Sequence, residues 1–358
     1  MQAALVGLSQ SGKSTLFRAV TEGHVHVGAG TAHQVDKAVV KVPDERVERL
    51  VAALKPKKTT YATIEFLDLP GLSFVEESGR HEARRIVAQA RQADMLMLVV
   101  RAFGDEGVAA NRGRVDPAQD LAELRTELAL ADLEMVANRI DKLEKASAKP
   151  TPHVEEEKRE LALLQRCGAA LENLEGLRSV IGTSEDEKLV RSFGFLSLKP
   201  VLVVVNVGEE SLGQASPLPA EGAGGAATLV LSAKWEAELA ALAPEERTAF
   251  LQDLGVQEIA RDRLVQACYR SLNVISFLTY ASEEVRAWTV PAGGTALEAA
   301  GAIHSDMQRG FIRAETVHWS DFAALGDFKA LKSAGKMHLE GKTYVVQDGD
   351  IITFRFNV

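Results

Sequence analysis

Apolar residues run through this chain in three different rhythms. In the first hundred positions, short apolar runs alternate with helical patterns. Ala3-Ala4-Leu5-Val6 opens the series, Thr63-Ile64-Glu65-Phe66-Leu67-Asp68 follows, and Met95-Leu96-Met97-Leu98-Val99-Val100 is unbroken. Runs without polar alternation suit strands of a parallel sheet covered on both faces. Between the last two, the Ala-, Arg- and Gln-rich stretch Arg80 to Ala93 predicts a helix. The strand rhythm resumes at Val201–Val205 and Ala227–Leu231, and Ser216 to Gly225 has the composition of a surface loop. The interval from Pro117 to Leu198 is different. Leu121, Leu124, Leu128, Ala131 and Met135 recur at spacings of three and four, and Val136, Ile140 and Leu143 continue one residue out of phase. Pro150 and Pro152 break the run before a second stripe of Leu161, Leu164, Leu171 and Leu174. This predicts two antiparallel amphipathic helices, a coiled-coil hairpin inserted into the sheet-forming part. The alternative is a pair of crossover helices packed directly on the sheet.

After Val274 the texture becomes that of short alternating strands, at Val274 to Tyr280, Val285 to Val290, Ile312 to Trp319, Tyr344 to Gln347 and Ile351 to Phe356, with a helix at Ala296 to Ile303. A separate small α+β domain is expected there. The division drawn from these textures is 1–117 and 199–273 for an α/β sheet with helices on both faces, 118–198 for the helical insertion, and 274–358 for the last domain.

The first run leads into Gly7-Leu8-Ser9-Gln10-Ser11-Gly12-Lys13-Ser14, a complete phosphate-binding loop, followed by the helical Thr15-Leu16-Phe17. Strand, glycine loop and helix come in the order the chemistry needs. The glycines let successive N–H groups turn inward toward phosphate oxygens, and the helix starting at the lysine adds its positive end. Lys13 would reach the β- and γ-phosphates and is the first catalytic candidate; the Ser14 hydroxyl would ligate Mg²⁺. Asp68-Leu69-Pro70-Gly71 closes a later strand, where Asp68 can hold Mg²⁺ through water and the Gly71 N–H can meet the γ-phosphate. Asn206-Val207-Gly208-Glu209 follows the strand ending at Val205, at the position where GTPases carry N-K-x-D. Val207 replaces the lysine whose stem covers the base, and Glu209 replaces the aspartate that accepts two guanine hydrogen bonds. Such a change forfeits guanine discrimination. Ser232-Ala233-Lys234 matches the last GTPase base-binding loop. ATP or GTP with Mg²⁺ is the expected ligand set, with ATP favoured.

Composition narrows the setting. Hydrophobic residues make up 46% and charged residues 25%, as in ordinary globular proteins. No apolar run spans a bilayer and the N-terminus reads into a strand, so a cytoplasmic protein without membrane partners is expected. Cys167 and Cys268 have no metal-like spacing and read as plain thiols. The net charge of −9 argues against coating nucleic acid indiscriminately, yet permits a local basic patch. Arg309, Arg313, Lys329, Lys332, Lys336, Lys342 and Arg355 form one such cluster, and Lys55-Pro56-Lys57-Lys58 is another short run.

Together these residues resemble the YchF/Obg-like ATPase family of P-loop NTPases over almost the whole chain. The resemblance rests on the loop at 7–17, Val115-Asp116-Pro117 with Thr126-Glu127-Leu128-Ala129-Leu130-Ala131-Asp132-Leu133-Glu134, the Asn206 to Glu209 variant, and the C-terminal segment from Val285-Arg286-Ala287-Trp288-Thr289 to Phe354-Arg355-Phe356-Asn357-Val358. It implies a P-loop NTPase sheet, a coiled-coil insertion and a C-terminal β-grasp-like TGS domain. It also implies ATP preference, and a ribosome or RNA partner through the TGS and coiled-coil parts.

Several positions depart from the family pattern. The first switch reads Gly30-Thr31-Ala32-His33-Gln34-Val35-Asp36, with Ala32 aligned to the switch threonine. The second reads Ser78-Gly79-Arg80-His81-Glu82-Ala83 in place of a glycine-rich run. Ala110 aligns with the histidine that relatives are thought to use in hydrolysis, and Leu72 takes the place of the Ras-like glutamine. Of His24, His33 and His81, which lie near switch positions, His81 is the best placed to position water and is the second catalytic candidate. Phosphate binding is therefore expected to be intact and turnover slow. A GTPase, and a nucleotide-gated binding module with negligible turnover, are the other two functions the sequence allows.

Overall fold

The computed structural model describes every residue except 23–34, 75–76, 106, 111–112, 147–153, 220–222, 224, 244, 248–250, 252–258, 282 and 358. Packing divides the chain into two compact units, Met1–Ala38 with Glu65–Arg261, and Val39–Ile64 with Asp262–Val358. The segment Val39–Ile64, which the sequence textures group with the α/β part, thus lies in the second unit.

The first sheet holds β1 (Gln2–Val6), β2 (Asp36–Lys41), β4 (Thr63–Asp68), β5 (Met95–Ala102), β6 (Val201–Val207) and β7 (Ala227–Leu231) in the order β2-β4-β1-β5-β6-β7. From β4 to β7 every neighbouring pair is parallel. The unbroken apolar runs are explained by burial on both faces: Met95 to Val100 are each at most 1% exposed. Two parallel neighbours flank β1, so the chain reverses its direction of travel across the sheet there. A crevice beyond the carboxyl ends of such strands is where open α/β sheets bind ligands.

Helix α1 (Lys13–Val20) buries Leu16, Phe17, Ala19 and Val20, and α2 (Glu45–Leu54) belongs to the second unit. Helix α3 (Glu77–Ala90) begins three residues before the expected Arg80 and ends three before Ala93; Ala83, Ile86, Val87 and Ala90 pack into the sheet's core. Helix α4 (Pro117–Ala146) runs 30 residues and opens on a proline, whose missing N–H costs nothing in the first turn. Its first turns, through Leu121, Leu124 and Leu128, pack on the sheet core. Further along, Val136 and Leu143 join Leu163, Leu164, Cys167 and Leu171 of α5 (Val154–Glu172) in a separate cluster. Arg139 pairs with Glu160 through two hydrogen bonds of 2.8 and 2.7 Å, and Val136 lies beside Gly168, so the two helices run antiparallel. The expected hairpin is present, and the crossover alternative describes the start of the same helix.

The second unit carries a mixed sheet. Its strands are β8 (Val274–Ala281), β9 (Glu284–Pro291), β10 (Phe311–Val317), β11 (His338–Glu340), β12 (Ile351–Phe356) and the upstream β3 (Lys58–Thr60), in the order β11-β10-β12-β8-β9-β3. β8 and β9 form an antiparallel hairpin, β12 lies parallel to β8, and β3 lies parallel to β9. The helix Ala296–Ile303, capped reciprocally by Thr295 and Glu298, packs Ala296, Ala299 and Ala300 against Phe277, Phe311 and Ile352. A hairpin, a crossing helix and a central parallel pair make the expected β-grasp arrangement.

Two strand expectations change. Tyr344 to Gln347 forms only an isolated bridge, Thr295 to Val345. Its backbone is drawn instead to the start of the neighbouring helix, where Ala296 N–H donates to Tyr344 C=O, and to the Asp350 carboxylate, which accepts from Gln347 N–H. The strand expected to reach Trp319 stops at Val317, because Trp319 opens a short helix to Leu325.

Candidate nucleotide-binding site

The phosphate loop leaves β1 and folds back on the turn after β4. Ser9 N–H donates to Leu72 C=O and Leu72 N–H donates to Gly7 C=O, both at 2.9 Å. Close approach explains three of the small residues. A Cβ on Gly7 would stand 2.5 Å from the Val99 carbonyl oxygen, and one on Gly71 would stand 2.8 Å from Ser9 Cα. Gly12 has φ 88° and caps the N-terminus of α1; a Cβ there would also collide with the Asn206 amide.

Lys13 is only 5% exposed, and burial holds its ammonium below the ordinary lysine range while the Asp68 carboxylate opposes that shift. Burial raises the Asp68 carboxyl above its usual range, against the lowering effects of a Ser14 hydrogen bond and of Lys13. One Asp68 oxygen, Oδ1, is buried without a hydrogen-bond partner. A hydroxyl and an orphaned carboxylate oxygen together are hard donors of the type Mg²⁺ takes.

Most of the predicted residues come together around a cleft of about 740 Å³; Gly7, Ser9, Ser11, Asp68 and Gly71 lie outside its lining. Gln10, Gly12, Lys13, Ser14 and Thr15 line one wall; Asn206, Val207, Glu209, Ser232, Ala233 and Lys234 line the other. Asn206 ties the walls together. Its Nδ2 donates to Ser11 C=O at 3.0 Å, and its Oδ1 accepts from Ala233 N–H at 2.9 Å. Ser232 caps the helix Ala233–Ala241, which fixes the Ala233 N–H for that bond. Glu209 and Lys234 pair at 3.2 Å across the loops that follow β6 and β7. Val207 is 2% exposed and also packs into the sheet core, so little of it is available to cover a base.

Phe103, Gly104, Asp105 and Val108 also line the cleft. No motif in the sequence points to them, and only their place after the unbroken β5 run could have suggested a role.

Residues 2–139 match the family MMR_HSR1, described as 50S ribosome-binding GTPase, and residues 274–357 match YchF-GTPase_C, described as a protein of unknown function. "Ribosome-binding ATPase YchF" of Bacillus subtilis (strain 168) is 40% identical over 368 residues, covering 100% of both chains. The protein of that name from Escherichia coli O157:H7 is 37% identical over 362 residues, covering 99% of this chain and 98% of its own. This chain belongs to the YchF family. The solved structure of the Schizosaccharomyces pombe YchF GTPase superposes with a TM-score of 0.84 at 28% identity, covering 99% of this chain and 97% of that one.

Within this YchF family member the switch residues lie as follows. His24, His33 and the altered first switch from Gly30 to Gln34 fall outside the described residues. Leu72 is fully buried in the sheet core and faces no solvent. His81 is exposed on α3 and is not among the residues lining the cleft, and Ala110 is half-buried in the loop before α4. In the C-terminal basic cluster, Arg309 pairs with Asp306, Lys336 with Asp321 and Arg355 with Glu315; Lys57 and Lys58 pair with Glu283 and Glu284. Much of that positive charge is therefore locally matched. Among the described residues no helix is long and apolar enough to cross a membrane.

Proposed function

We propose that this YchF family member is a P-loop ATPase that prefers ATP to GTP, hydrolyses it slowly with Mg²⁺, and acts on the ribosome in the cytoplasm. The observation that carries this is the cleft lined by Lys13 and Ser14 and by Asn206, Glu209 and Lys234, with Asp68 hydrogen-bonded to Ser14 beside it. Ser14 and Asp68 would hold the ion, which when bound neutralises charge on the phosphates. Lys13 supplies a fixed positive charge to the same oxygens, and the loop N–H groups orient them. The Bacillus subtilis and Escherichia coli relatives, each named a ribosome-binding ATPase, support ATP and the ribosome. Contact through the hairpin of α4 and α5 and through the C-terminal TGS domain fits that partner, and the remaining cations of the cluster would meet its phosphates.

Base choice follows from Glu209. Guanine recognition needs a carboxylate free to accept two N–H groups, and here Lys234 already holds one of its oxygens. Competition binding should show ATP preferred over GTP. Lys234→Ala with Glu209→Asp should raise GTP affinity relative to ATP by about fivefold, the scale of an exposed ion pair. A wild-type protein binding GTP tenfold more tightly than ATP would reverse this assignment and support a GTPase.

Hydrolysis is expected to rest on charge neutralisation. His81→Ala should leave the single-turnover rate within about twofold at unchanged ATP affinity, since it lies off the cleft and catalytic geometry must come first. A tenfold fall would instead give His81 the water-orienting role. No phosphate release by the wild type, with ATP bound, would leave a nucleotide-gated binding module.

A further inference from the structure

Arg101 is the second-to-last residue of β5 and is only 3% exposed. A guanidinium taken that far out of water needs its donors satisfied. Its named hydrogen bonds go to backbone carbonyls. Nε donates to Phe103 C=O at 3.1 Å, Nη2 to Val108 C=O at 2.8 Å, and Nη1 to Ala109 C=O at 3.2 Å and to Gln10 C=O at 3.4 Å. The Phe103 ring lies over it, with 4.4 Å between the guanidinium carbon and the ring centre.

These partners belong to two separate stretches of chain. Gln10 lies in the phosphate loop; Phe103 and Val108 lie in the loop after β5 and line the same cleft. Gln10 has φ 63°, an uncommon backbone state for a residue with a side chain, which turns its carbonyl out of the loop. The neighbouring carbonyl, Ser11 C=O, is held by Asn206. Arg101 and Asn206 stand directly opposite each other in the β5–β6 register. Two adjacent strand residues therefore hold two successive phosphate-loop carbonyls from behind. Ser11 N–H donates back to Leu8 C=O within the loop, and because a trans peptide sets its N–H opposite its C=O, pinning Ser11 C=O outward turns the Gly12 N–H inward, toward the phosphate position.

We propose that Arg101 is a positioning residue for nucleotide binding, tying the loop after β5 to the phosphate loop so that the cleft is set before nucleotide enters. This rests on the cleft being the nucleotide site. A preset cleft lowers the ordering cost that binding must otherwise meet, so Arg101 should act on affinity and KM and leave kcat alone. A lysine has the charge but not the fork: its single nitrogen cannot serve all four carbonyls that the three guanidinium nitrogens share.

The test uses the full chain and measures ATP and ADP affinity, steady-state kinetics and melting temperature for the wild type and for Arg101→Met, Arg101→Lys and Asp132→Asn. Asp132 is buried in α4 and does not line the cleft, so Asp132→Asn serves as a control for general loosening of the same unit. Arg101→Met should weaken ATP and ADP alike by about tenfold or more, with KM rising to match and kcat within about twofold. Arg101→Lys should recover only part of the affinity, and Asp132→Asn should melt earlier while binding ATP like the wild type. Should Arg101→Met not fold, Arg101→Lys against Asp132→Asn makes the same comparison. Wild-type affinity in the Arg101 variants, or an equal loss of affinity in Asp132→Asn, would overturn the proposal. A wild type that binds no nucleotide would overturn the site assignment itself, which is a different failure.

Discussion

Lys13→Ala should lose ATP binding by about a hundredfold or more without lowering the melting temperature. Two charge-assisted hydrogen bonds to phosphate, at roughly 1.5–3 kcal/mol each, correspond to two or more decades of affinity. The second half of the expectation comes from burial. Lys13 is 5% exposed, and the protein already disfavours its charge, as the direction of its shift shows. A group whose folded pKa lies below its unfolded value makes the native state less stable as the pH falls through that range and the group takes up its proton. Removing it relieves that cost, and the alanine stays inside a good helix former's range at the start of α1. Equilibrium titration with ATP and a thermal melt on the same sample check both halves. Undiminished affinity in the folded variant would end the phosphate-loop assignment, and a sharply lower melting temperature would mean that Lys13 holds the fold.

Asp132→Ala should be the most damaging change to stability, costing about 3–5 kcal/mol, the scale of breaking one partner out of a buried ion pair. Asp132 is 0% exposed in α4. Its Oδ1 accepts from Arg91, just beyond α3, and from Leu196 N–H at 3.1 Å. Its Oδ2 accepts from Ser197 N–H at 2.9 Å and from the Ser197 hydroxyl at 2.7 Å. One carboxylate thus joins α3, α4 and the turn that leads into β6. Alanine would strand a largely buried guanidinium and two backbone donors at once. A fall in melting temperature on the order of 10 °C is expected by calorimetry, with Asp132→Asn intermediate because an amide oxygen can still accept. A change under about 2 °C would mean that water replaces the carboxylate, at odds with its burial.

The sheet and the phosphate side of the site were legible because each is written locally. A strand buried on both faces needs an unbroken apolar run, and a phosphate cradle needs its glycines, lysine and hydroxyl at fixed spacing. The slip in phase between Met135 and Val136 was legible too: it falls where α4 leaves the sheet core and begins to pack on α5. What the sequence hid was set by distant partners. Arg101 is one charge in an apolar run, and its partners at Gln10, Phe103, Val108 and Ala109 carry no shared signature, since any residue offers a carbonyl. Tyr344 to Gln347 alternates like a strand, yet its backbone finds a helix start and a carboxylate. Val207 stands where a GTPase carries its lysine, and only packing shows that it also belongs to the core.

The parallel pairing of β3 with β9 bears on how this protein is made. The Thr60 hydroxyl donates to Glu284, 224 positions further on, and Lys58, Thr59 and Thr60 lie in register with Glu284, Val285 and Arg286. Chains emerge from the ribosome N-terminus first, so the segment 39–64 is exposed for most of synthesis before its partner strand exists. Contacts of such long sequence separation form late and slowly. A fragment cut at 274 would present β9 with an unpaired edge, the kind that recruits other chains. The second unit is therefore a product of the finished polypeptide, completed by residues translated near its beginning.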